Sequence, residues 1–118
     1  MNIETLRNYC LSLKGVTESF PFGEDTLVYK VMGKMFALSS FSNPTTANLK
    51  CDPEYALELR EHYPEAILPG YHMNKKHWNT VSLVDNLQES LIISLIDHSY
   101  ELVVAGLPAK VRAELENM

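Results

Sequence analysis

Long apolar runs are missing from this chain of 118 residues. Its most apolar stretch, Leu87 to Leu107, is broken by Gln88, Glu89, Ser90, Ser94, Asp97, His98, Ser99 and Glu101, so no segment reads as a transmembrane helix. The first residues, Met1-Asn2-Ile3-Glu4-Thr5, carry neither the basic nor the apolar region of a secretory signal, and a cytoplasmic protein is expected. Cysteine is scarce. Cys10 and Cys51 are too few for a disulfide framework, and their apolar neighbours mark them as buried thiols in a reducing compartment. Five Gly and six Pro exclude collagen-like or low-complexity character, and 46% hydrophobic residues exclude a disordered chain. Ten Lys and Arg stand against fifteen Asp and Glu, and the net charge of −5 argues against polyanion binding by the chain as a whole.

Catalytic signatures are missing too. There is no CxxC pair, no two His at the helical spacing of a zincin, no glycine-rich phosphate loop and no nucleophile elbow around Ser39, Ser40 or Ser42. The histidines His62, His72, His77 and His98 match no metal-ligand spacing, so neither a metal nor a cofactor is expected. Glu24-Asp25 reads as a turn and capping pair. The chain is expected to be non-enzymatic.

What the sequence does contain is one domain's worth of clear patterning, spanning residues 1–118. Ile3, Leu6, Cys10 and Leu13 recur at helical spacing, and Gly15 ends that helix. Phe20-Pro21-Phe22-Gly23 predicts a short extended piece and a turn. Leu27–Met32 and Met35–Phe41 are β-prone runs, with Gly33-Lys34 between them as a hairpin turn. Thr46, Asn48 and Lys50 alternate with Ala47, Leu49 and Cys51, as in a half-buried strand with a polar outer face. Asp52-Pro53-Glu54 opens a second helix that runs to about His62 and buries Ala56, Leu59 and Tyr63. Trp78–Val84 reads as a further strand, with Val81 and Leu83 inward. Asp85-Asn86-Leu87-Gln88 resembles a capping box at the start of a long helix striped by Leu87, Leu91, Ile92, Leu95, Ile96, Leu102 and Val103. Gly106 and Pro108 end that helix, and a tail helix carries Val111 and Leu115. The fold class is α+β: an antiparallel sheet, a meander plus a further strand, with helices packed on one face.

Charge is unevenly distributed along the chain. Thr26–Cys51 holds Lys30, Lys34 and Lys50 without an acid, and Ala66–Val84 holds Lys75 and Lys76, again without an acid. If these two segments meet in space, an acidic protein acquires one basic face. The densest polar string is Tyr71-His72-Met73-Asn74-Lys75-Lys76-His77-Trp78. Lys and Asn suit phosphate and base-edge contacts, and Trp offers a stacking surface. The plainer alternative makes Trp78 a core anchor, packed on the long helix near Leu95 or Ile96, with the lysines simply solvated on a loop.

Several of these segments match a known pattern in order. They are Pro21-Phe22-Gly23, Lys30-Val31, Gly33-Lys34-Met35-Phe36-Ala37-Leu38, Asn48-Leu49-Lys50-Cys51-Asp52-Pro53 and Leu59-Arg60. Gly70-Tyr71-His72-Met73-Asn74-Lys75-Lys76-His77-Trp78 and Leu95-Ile96-Asp97-His98-Ser99-Tyr100 follow. Together they resemble the MmcQ/YjbR family of small bacterial proteins over nearly the whole chain. The resemblance implies a frataxin-like (CyaY-like) α+β fold and DNA binding through a double-wing motif. It does not extend to iron, because the first helix has only Glu4 alongside Arg7 and Lys14. The expected partner is therefore double-stranded DNA, contacted by a monomer through Lys30, Lys34, Lys50, His72, Asn74, Lys75, Lys76 and His77. The alternative is a module for a small anionic ligand or protein partner, with His72, Asn74 and Trp78 forming a pocket against the sheet.

Overall fold

A computed structural model describes residues 1–118. Helix α1 (Ile3–Ser12) starts where the Asn2 side chain accepts from the Thr5 N–H at 2.8 Å. Strands β1 (Val16–Ser19), β2 (Thr26–Val31), β3 (Lys34–Ser40) and β4 (Thr46–Lys50) follow, then α2 (Pro53–His62) and β5 (Ile67–Pro69). Strand β6 (Trp78–Ser82), the long helix α3 (Glu89–Ala105) and α4 (Ala109–Glu116) complete the chain. Every strand pairing is antiparallel, in the order β1-β2-β3-β4-β6-β5, and the edge strands β1 and β5 have only four and three residues. No helix is long and apolar enough to cross a membrane.

Alternation along the strands divides the sheet into two faces. Leu27, Tyr29 and Val31 of β2, Ala47 and Leu49 of β4 and Val81 of β6 join the main core. From the helices come Leu6 and Cys10 of α1, Ala56 and Leu59 of α2, Ile92, Leu95, Ile96 and Val103 of α3, and Leu115 of α4. All four helices therefore lie on one face, as the sequence implies, and both cysteines are buried and unpaired. A bulge between Tyr29 and Lys30 lets Phe36 point inward beside Ala37, and Phe36 meets Tyr100 edge-on at 5.6 Å.

Four consecutive residues of α3 fasten this layer. Asp97 accepts from the Tyr9 hydroxyl at 2.5 Å, and the His98 Nε2 accepts from the Asp52 N–H at 3.1 Å. Ser99 donates to the Phe36 carbonyl at 2.5 Å and accepts from the Lys50 N–H, while Tyr100 donates to the Lys14 carbonyl at 2.6 Å. A helix advances about 100° per residue, so successive side chains reach different neighbours. The Asp97-His98-Ser99-Tyr100 string is thus a structural junction between α3 and the elements around it.

Four local expectations are corrected. The β2–β3 turn is Met32-Gly33, not Gly33-Lys34: both residues have positive φ (50° and 83°), as the mirror-image hairpin turn requires, and Lys34 already belongs to β3. The capping box fails. Ser82 Oγ bonds Asp85 Oδ2 and accepts from the Val84 and Asp85 N–H groups, so Asp85 closes a turn and the helix begins at Glu89 without a side-chain cap. Strands β1 and β5 went unforeseen, being too short to show alternation. Trp78 is buried (7% exposed) but on the side of the sheet away from α3, where it forms a second small core with Val28 and Leu38. Its register partner Lys50 points the same way, and the alternation that sends Val81 inward sends Trp78 outward.

Candidate functional site

The face without helices carries two distinct regions. The first is a lysine-bearing end of the sheet. Strands β2 and β4 finish there and β3 and β6 begin there, so Lys30, Lys50 and the 74–77 loop ahead of Trp78 come together from segments far apart in sequence, while Lys34 stands at the same end but, paired with the core residue Val31, points to the helix side. Lys30 and Lys50 both point away from the helices, two strand spacings or about 10 Å apart. Lys34, Lys75 and Lys76 are exposed. None of the five forms an ion pair; the one salt bridge in the molecule joins Arg7 and Glu18.

Arg60 of α2 anchors the loop beneath Lys75 and Lys76. Its guanidinium donates to the carbonyls of Lys75 and Trp78 and, at 2.7 Å, to Oδ1 of the buried Asn79. The planar fork donates from two separate nitrogens, Nε and Nη2, where a lysine has only one. Gly70 closes the other side. It donates to the Trp78 carbonyl at 2.8 Å, and a Cβ there would lie 2.8 Å from the Trp78 Cβ, so only glycine fits. Asn74 is spent on the loop itself: Oδ1 accepts from the Lys76 N–H, and its carbonyl accepts from His77 and Trp78. Lys75 Nζ donates to the Gly70 carbonyl at 3.1 Å, which tethers it while leaving two of its N–H groups. His77 is half-buried where its carbonyl accepts from Cys51. Arg60 and Gly70 were present in the sequence pattern, but nothing local identifies them as the loop's supports.

The second region is a groove of about 760 Å³ over the middle and far end of the same face. Leu38, Asn48 and Thr80 line it together with Met35 and Met73. Thr80 Oγ1 donates to Asn48 Oδ1 at 2.6 Å and accepts from the Tyr71 N–H, so the Asn48 amide nitrogen has no partner in the protein. Phe22, Asp25 and Ser42 line one side and Leu68, Pro69, Tyr71 and His72 the other. The Ser40 and Ser42 hydroxyls, each 2.7 Å from Asp25 Oδ2, hold that carboxyl below the usual aspartate range; the Ser42 N–H adds a bond to Oδ1. His72 has φ 59°, a left-handed conformation uncommon outside glycine, and its ring lies 4.0 Å from that of Tyr71. Of the sequence-selected residues, only His72 lines the groove. Asn74 and Trp78 do not line it.

No three His, Cys, Asp or Glu side chains converge to hold a metal ion. Burial raises the Cys10 thiol to about 12 and the Cys51 thiol to about 11, so both stay protonated and unreactive at neutral pH.

Fold and site together define a small α+β domain with one sheet face covered by helices and the other left open. The YjbR family model matches residues 11–102. YbdF of Escherichia coli O157:H7, described as uncharacterised, is 44% identical over 105 residues, covering 88% of this chain and 85% of that protein. YjbR of Escherichia coli K12, described likewise, is 34% identical over 113 residues and 95% of each chain. The crystal structure of Deinococcus radiodurans protein DR2400, a DUF419 domain, superposes with a TM-score of 0.89 at 42% identity, over 97% of this chain and 87% of that one. A Pseudomonas syringae structure gives 0.70 at 28% identity, over 86% and 98%. The chain belongs to the YjbR family.

Proposed function

We propose that this protein is a non-enzymatic, monomeric, cytoplasmic DNA-binding protein whose lysine-bearing sheet end contacts duplex phosphates. The supporting observation is the gathering of Lys30, Lys34, Lys50, Lys75 and Lys76, five cations without an acidic partner, at one end of an otherwise acidic molecule. The β2–β3 hairpin and the 70–77 loop flank Lys50 as two projections, each bringing lysines to the rim. An approaching phosphate meets cations there, while most of the acidic residues lie on the helices and outer loops. Two buried free thiols fit a reducing compartment.

Neutralising three to five phosphates gives a slope of log K against log salt of roughly −3 to −4.5. Lys30 and Lys76 have side chains that bond to nothing in the protein, so replacing both with Ala removes charge without breaking a contact of the fold. That double variant is expected to reduce the slope by about 2. Anisotropy titrations of a labelled short duplex at several salt concentrations measure it. No duplex binding at low salt, or a slope unchanged in the double variant, overturns the reading.

A further inference from the structure

The groove has properties that phosphate contact alone does not use. Phe20, Phe22, Phe41, Leu68 and Tyr71 are among the exposed large apolar residues, and all five stand in or beside it. Phe22 and Tyr71 line opposite sides and are 66% and 68% exposed, while Phe20 stacks on Phe41 at 6.2 Å next to Asp25. The groove also holds an unpartnered amide donor, Asn48, on its floor and an ionised acceptor, Asp25, on the Phe22 side. No lysine lines the groove, yet its floor continues along the strands into the lysine end. On β2 and β4, outward residues follow one another at roughly 7 Å, from Lys30 to Val28 to Thr26 and from Lys50 to Asn48 to Thr46.

These features do not fit a small compact ligand. From β2 to β5 the face spans four strand spacings, about 19 Å, so a small molecule would touch one wall and leave the other bare. They fit a chain that alternates anionic and flat, hydrogen-bonding units. Bases present π-faces to aromatic side chains and amino and carbonyl edges to an amide or carboxylate. In a paired duplex those faces are stacked away, so the groove selects nucleotides that are unpaired.

We propose that the open face binds unpaired nucleotides of DNA, with their bases in the groove between Phe22 and Tyr71 and their phosphates on Lys30 and Lys50. This rests on the phosphate contacts proposed above and adds what the rest of the face recognises. Asp25 lies at the far end from the lysines, where it accepts from a base amino group and repels a phosphate that slides too far.

The test compares a blunt short duplex with the same duplex carrying a single-stranded overhang, using wild-type protein and the double variant Phe22→Ala, Tyr71→Ala. Both side chains are exposed, and circular dichroism and the thermal midpoint check that the fold is unchanged. The overhang is expected to tighten wild-type binding at least about tenfold, since each stacked base contributes roughly 5- to 150-fold. The double variant is expected to lose that gain and keep its affinity for the blunt duplex. The pair Phe22→Tyr, Tyr71→Phe is expected to retain the gain. Equal binding of both probes, or a gain that survives loss of both rings, overturns this inference and leaves the lysine contacts standing. Failure to bind either probe overturns both readings.

Discussion

The two faces of this sheet are built from the same strands, residue by alternate residue, and differ in what covers them. The inward set meets four helices and forms a core of 21 buried residues. The outward set meets solvent except at Trp78, Val28 and Leu38, a buried cluster of three with Met35 and Met73 packed against it. One face therefore supplies most of the hydrophobic stabilisation. The other is free to carry lysines at one end and a groove with exposed aromatic rings over the remainder. In a small domain, leaving a face uncovered forfeits apolar burial, and it is the arrangement that leaves a broad surface open to a partner.

The sharpest test of that division is to remove one large side chain from each face. Phe36 is fully buried among the helices. Phe36→Ala is expected to destabilise by about 3–5 kcal/mol, because its cavity is walled by α3 and the sheet. Trp78→Ala is expected to cost less, about 2–4 kcal/mol, since the few residues around it can settle and the cavity borders solvent. Denaturant unfolding measures both, and a larger loss for Trp78→Ala would make the small cluster the stronger core.

A smaller effect is expected at the junction between the faces. Arg60 belongs to α2 yet holds the carbonyls of Lys75 and Trp78, so Arg60→Ala frees the loop and leaves Asn79 buried without its donor. A loss of about 2 kcal/mol is expected, together with weaker duplex binding. Arg60→Lys is expected to restore little of either, because an ammonium donates from one nitrogen only. Full recovery with lysine would show that charge alone matters there.

The smallest effect is expected at the outer edge of the open face. The Ser40 and Ser42 hydroxyls and the Ser42 N–H favour ionised Asp25, so its folded pKa lies below the unfolded value. The stabilisation this provides is present above the unfolded aspartate value of about 3.9 and is lost as pH falls through the lower folded one. Glu18, held low by Arg7, titrates in a neighbouring range, so the informative quantity is a difference. Thermal midpoints of wild type and Asp25→Asn are expected to converge as pH drops below 4. A gap that stays constant with pH would mean that the Asp25 contribution is packing and not charge.

Much of the architecture was legible along the chain because periodicity reports burial directly. The Asp52-Pro53 helix start, the α3 stripe of Ile92, Leu95, Ile96 and Val103, and the outward set Thr46, Asn48 and Lys50 all stand where their spacing implied. The acid-free segments end at one edge of the sheet, but register turns Lys34 to the helix side and leaves Lys30 and Lys50 on the open one. The groove was not legible. Its lining comes from stretches far apart in the chain, among them Phe22, Leu38, Asn48, Leu68, Tyr71 and Thr80, and none is unusual in its own neighbourhood.

Trp78 marks the boundary between the two kinds of knowledge. Its burial followed from residue type, since a large ring next to a β-strand rarely stays in water. Which face it occupies followed from register: Lys50 pairs with Trp78 and Leu49 with Asn79, so the indole lies on the open side and a polar Asn lies among the helices, satisfied by Arg60. Composition and local spacing determined the elements, the helix-covered core and the segregation of charge, because those depend on neighbours close in sequence. Strand pairing decided the side on which Trp78 lies, the support of the lysine loop and the groove itself. These depend on residues tens of positions apart being brought opposite one another, and a shift of one residue would have reversed them.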